Sequence, residues 1–112
     1  MQTKSIQTVT FANMISNPVF ADKLSEVGRI PCGIIIPNDA AFNLVTLTVQ
    51  VSVDGINYYN LYDDIGEQKI ISIGSSRAIF FDLSIYAGFA YLQFVASSNL
   101  NGKSISIIFR EV

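Results

Sequence analysis

Asp63 and Asp64, with Asp54 and Glu67 close by in sequence, are the groups best placed to do acid–base or metal chemistry. Two carboxylates can divide the work of acid and base in a glycosidase, but neighbours on an extended chain point to opposite sides, and a turn there is solvated. Asp54, Asp63 and Asp64 could instead offer hard oxygens to calcium, although no spacing of ligands identifies such a loop. The 112 residues include no histidine, which excludes nucleophile–His–acid arrangements and His-based metal sites. Gly74, Gly88 and Gly102 stand singly, without the spacing that lets backbone amides converge on a phosphate. The expectation is a protein that is not an enzyme, with no catalytic residue, no metal and no cofactor.

Cys32 is the single cysteine, set between Pro31 and Gly33 in an apolar run. It can form no intramolecular disulfide, and with no His or adjacent Lys to lower its pKa it reads as a structural thiol. The five tyrosines are Tyr58, Tyr59, Tyr62, Tyr86 and Tyr91. Exposed aromatic rings can anchor an interface or stack on sugar rings; buried ones fill a core that has no tryptophan. Tyr58 and Tyr62 are assigned to the core. Tyr59, Tyr86 and Tyr91, together with Ile6 and Phe11 near the N-terminus, form the expected partner-contact surface.

Only 14% of residues are charged while half are apolar, well below the quarter typical of charged residues in soluble domains. Such a chain must bury most of its surface or share it with partners. The net charge is −2 and the seven basic residues are scattered, which argues against a nucleic-acid partner held through its phosphates. No apolar run approaches the roughly 20 residues of a membrane span, and the first residues carry no continuous apolar segment, so neither membrane anchor nor signal peptide is expected.

The element most clearly written is the stretch from Leu44 to Tyr62. Val45, Leu47, Val49, Val51 and Val53 alternate with Thr46, Thr48, Gln50 and Ser52, the period of a strand with one apolar face inward. Asp54-Gly55 supplies a turn that tolerates positive φ, and an aromatic-rich return follows, so the segment reads as a hairpin. A two-residue turn would set Val51 opposite Tyr58 and Leu47 opposite Tyr62; a longer loop would turn Leu61 inward instead. Asn38 to Phe42 reads as a loop or one helical turn, with Asn38 able to cap it and Phe42 inward.

Further strands are expected over 19–27, 29–36, 69–73, 77–83, 90–96 and 103–112, with Leu92, Phe94, Ile105, Ile107 and Phe109 inward. Residues 1–19 are the least patterned and are expected as an extended N-terminal arm or edge strand, and 20–112 as the domain proper. Seven to eight strands with turn signals every 8–12 residues or so predict a single all-β antiparallel sandwich, jelly-roll-like, of two four-stranded sheets.

The order of these pieces resembles a group of small bacteriophage virion proteins. The matching residues are Pro37 at a strand end, Ser52, Asp54, Gly55 and Tyr58 at the hairpin, Leu61, Tyr62, Asp63 and Gly66 at the next turn, and Leu83, Gly88, Tyr91 and Leu92 at a later strand entry. The match spans about residues 30–112, and the loop Ser97 to Gly102 is shorter than its counterpart in the group. The resemblance implies a β-sandwich made in the host cytoplasm and located in the virion. It implies a capsid auxiliary, decoration or head-fibre protein that contacts the major capsid protein or another head or tail component, and its own copies. The alternatives are a carbohydrate-binding jelly roll, with a glycan as partner, or a tail-associated structural protein.

Overall fold

Alternation fixes which side of each strand faces in. In a computed structural model, which describes residues 3–20, 29–80, 89 and 91–111, Val45, Leu47, Val49 and Val51 are buried while Thr46, Thr48 and Gln50 are half-exposed. That strand belongs to an all-β chain whose only helical piece among the described residues is one 3-10 turn, Ala40–Phe42. The strands are β1 (Thr3–Ala12), β2 (Ile15–Ser16), β3 (Val19–Phe20), β4 (Arg29–Ile36), β5 (Val45–Ser52), β6 (Tyr59–Asn60), β7 (Ile70–Ile73), β8 (Arg77–Phe80), β9 (Tyr91–Ala96) and β10 (Ser104–Glu111).

Hydrogen bonds link them in one antiparallel path, β6-β5-β9-β2-β1-β10-β4-β8, with β3 joining β9 and β7 joining β5. The path curls like half a barrel around a single core, to which Val9, Phe11, Ile34, Leu47, Phe94, Ile107 and Phe109 all contribute. The expected division into two separate four-stranded sheets is not what the ladder draws, because β1 serves both halves. Its first eight residues pair with β10, from Thr3 opposite Glu111 to Thr10 opposite Ser104. Its last two pair with β2.

The N-terminal stretch is therefore not an arm or an edge. β1 lies in the middle of the path and sends Val9 and Phe11 into the core. Its partner is about a hundred residues away in sequence, and no local pattern announces such a pairing. The expected strand 19–27 is described only at Val19 and Phe20, and 77–83 only to Phe80; their remainders lie outside the described residues.

The 3-10 turn carries the chain from β4 to β5 between the two halves. Its cap is Asp39 rather than Asn38: the Asp39 carboxylate accepts the Ala41 N–H at 2.9 Å, and Phe42 is driven into the core. The return crossing, β7 to β8, is tied to it where the Ser75 hydroxyl accepts the Asp39 N–H and the Ser76 N–H donates to the Pro37 carbonyl. Lys103 adds an ion pair to Asp39 at 2.8 Å. At the opposite turn, Leu100 plugs the core while its N–H and the Asn101 side chain hold the backbone of Asn13.

Candidate functional site

The hairpin turn is built by side chains that the backbone needs. The Ser52 hydroxyl, buried, accepts the Asp54 and Gly55 N–H groups and donates to Asp54 Oδ1 at 2.9 Å. The same carboxylate oxygen accepts the N–H groups of Ile56 and Asn57. Those bonds favour the ionised form, the Asn57 and Ile56 amides most and the Ser52 hydroxyl next, and they hold the Asp54 carboxyl well below the usual carboxylate range. Asp54 is thus a structural anion that closes a loop, and its lone pairs are already engaged.

The loop is longer than two residues. Val51 stands opposite Tyr59 and Gln50 opposite Asn60, one residue out of step with the tight-turn register, so every side chain of the return changes face. Leu61 packs against the core and Tyr62 is exposed, which corrects the assignment of Tyr62 to the core. Tyr58 is half-buried beside Tyr91 and Asp54, and burial pushes its hydroxyl pKa up. Gly55, at φ 79°, rides on the Tyr91 ring: a Cβ there would lie 3.1 Å from the ring carbons. Tyr91 is half-buried as a consequence.

Asp63 plays a similar part at the next turn. Its Oδ1 accepts the N–H groups of Ile65 and Glu67, and Gly66 takes φ 90°. Around it Tyr62, Asp64, Glu67, Gln68 and Lys69 line an open groove with Phe89. Asp63 and Asp64 both line this open groove, and the Asp63 carboxylate is taken up by the turn amides. Among the described residues no three carboxylates or thiols gather at metal-binding distance. Cys32 is half-buried and packs on the core.

The expected partner-contact residues disperse. Tyr59 is 68% exposed on β6, and Ile6 is 65% exposed on β1. Phe11 is a correction: at 1% exposure it is a core side chain, placed there because β1 is an interior strand. Tyr86 lies outside the described residues. Phe80 on β8 and Ile35 on β4, both exposed, were not anticipated from the sequence. The available signal was the apolar run Ile34-Ile35-Ile36, which puts an isoleucine on each face of a strand.

No protein-family model matches the chain, and no curated sequence is significantly similar to it. Solved structures that share its fold include two of different origin. One is the SPBc2 prophage-derived protein YomS, with a TM-score of 0.60 at 10% identity over 98% of this chain and 95% of that one. The other comes from Bacillus endospore appendages described as a family of disulfide-linked pili, with a TM-score of 0.53 at 13% identity over 99% of this chain and 84% of that one.

Proposed function

We propose that the chain is a non-enzymatic structural part of a bacteriophage particle, decorating or stabilising the capsid through protein–protein contacts. The observation that carries this reading is the exposed apolar surface. Leu44, Val53, Ile56, Ile65 and Phe80 are each more than 70% exposed, apolar side chains that contacts in an assembly would cover. The prophage origin of one structural neighbour and the fibre-forming setting of the other support a role in an assembly. So does the use of Asp54 and Asp63 as turn formers, which leaves those carboxylates engaged in structure.

On this reading the protein is made in the host cytoplasm, resides in the virion, contacts capsid or other head or tail components, and acts in several copies. Mass spectrometry of purified particles should find it at fixed stoichiometry. Its absence from intact particles, with the gene expressed, would sink the proposal. One observation favours a second reading: the groove with Tyr62, Gln68 and three acidic side chains combines an aromatic platform with planar polar groups, as carbohydrate sites do. Glycan-dependent NMR shifts at Tyr59 and Tyr62, lost in Tyr62→Ala, would establish it.

A further inference from the structure

Asn101 alone among the asparagines is followed by glycine. Such a pair is open to attack from within: glycine has no Cβ to keep its amide nitrogen from folding back on the preceding side chain, and two groups already in reach need no encounter. The pair lies in the exposed turn before β10, with Gly102 at φ 80° and open space where a Cβ would stand. Both reacting groups are nonetheless held by the far end of β1. The Asn13 N–H donates to Asn101 Oδ1 at 2.9 Å, and the Gly102 N–H donates to the Phe11 carbonyl at 2.9 Å.

One comparable pair, Asp54-Gly55, is closed at both ends. Its ionised carboxylate is a poor electrophile and already accepts the Ile56 and Asn57 amides, while the Gly55 N–H donates to Ser52 Oγ at 2.9 Å. Asn101 carries a neutral side-chain amide instead, so its restraint comes from the contacts with Phe11 and Asn13.

We infer that Asn101 is a site of spontaneous deamidation, held in check by the contact of its turn with Phe11 and Asn13. With that contact open, the Gly102 nitrogen loses its proton and attacks Asn101 Cγ. The new N–Cγ bond closes a succinimide ring, the Cγ–Nδ2 bond breaks, and the side-chain nitrogen leaves as ammonia. Water then opens the ring at either carbonyl, giving aspartate or isoaspartate, with no oxidant or reductant involved. While the contact is shut, the proton to be lost is shared with the Phe11 carbonyl and Asn101 Oδ1 is tied to the Asn13 amide. The reaction therefore runs only from the fraction of molecules in which the turn has parted from β1. The two products differ in effect. Aspartate keeps an oxygen for the Asn13 N–H. Isoaspartate reroutes the backbone through the side-chain methylene beside Leu100, whose buried side chain and N–H bond to the Asn13 carbonyl anchor the turn. That product loosens the join between β1 and β10 irreversibly.

This goes beyond the particle role proposed above and does not depend on it. The test incubates the full chain in mildly alkaline buffer, folded and in guanidinium chloride, and maps its peptides by mass spectrometry, with isoaspartyl methyltransferase marking isoaspartate. In denaturant, position 101 should convert faster than any other asparagine. In the folded chain its rate should be at least tenfold lower. Hydrogen exchange at the Gly102 amide reads the same opening without a variant, and denaturant below the unfolding transition should speed exchange and deamidation together. Leu100→Ala, which empties the plug under the turn, should speed both. The isoaspartate form should melt below the unreacted chain. A folded rate equal to or above the rate in denaturant, or faster conversion of another asparagine there, overturns the inference. So does exchange at Gly102 that speeds without deamidation, or an isoaspartate form that melts with the unreacted chain.

Discussion

Single side chains test the inside and outside of this sheet. Val49 is fully buried on β5 and Thr48 is its half-exposed neighbour. Val49→Asp should unfold the domain, because an unpaired buried charge costs several kcal/mol out of a total of about 5–15; Thr48→Asp should fold. Urea denaturation of both checks this, and similar midpoints would refute the assignment. Asp54 supplies a pH prediction. Its folded pKa is depressed by the amides it caps, as that of Asp39 is by the Lys103 ammonium and then the Ala41 amide. A depressed carboxylate contributes stability that is complete above the unfolded pKa near 4 and is lost as pH falls toward the folded value. The melting temperature should therefore fall below about pH 4, and Asp54→Asn should show a shallower acid slope; parallel slopes would refute the role. Alternation alone predicted Leu92, Phe94, Ile105, Ile107 and Phe109 as core, and all five are buried. The direction of each tyrosine escaped it, because that depends on a turn length that Asp54-Gly55 leaves open.

At the scale of elements, the hairpin turn and β1 carry the sharpest tests. Gly55 combines positive φ with contact against the Tyr91 ring, so Gly55→Ala should cost about 1–3 kcal/mol and displace that ring. Urea midpoints and the Tyr91 ring resonances would report it, and an unchanged midpoint would mean the turn relaxes freely. Deleting residues 1–10 should abolish folding rather than trim a loose end, since β1 bridges both halves and supplies Val9; a cooperative thermal transition in the truncated chain would refute this. Strand positions were legible where apolar and polar residues alternate between turn signals, as in β5, β7, β9 and β10. What could not be read was partnership. β1 has only Ile6, Val9 and Phe11 to mark it, and its place beside β10 is decided by the complementary row Val9–Ile105 and its neighbours. The same ignorance made Phe11 look available to a partner.

For the molecule as a whole, the sequence announced an all-β chain, and the structure bears that out in one antiparallel path. Low charge and abundant isoleucine implied surface to be shared. The row of Ile6, Ile108, Gly33 and Phe80 emerged only from register, since these residues lie far apart in the chain and meet through three strand pairings. The groove beside Asp63 is likewise a product of the turn after β6 and of Phe89 arriving from elsewhere. Neither could be assembled from local spacing.

The pairing of Thr3 with Glu111 bears on how fast the fold can close. The β1–β10 ladder forms only when segments about a hundred residues apart meet, whereas the β1–β2 pairing is local, so the Val9 side of β1 waits on the distant partner. Folding that waits on such distant closure is slow, because the entropy of closing a long loop is spent before the contacts repay it.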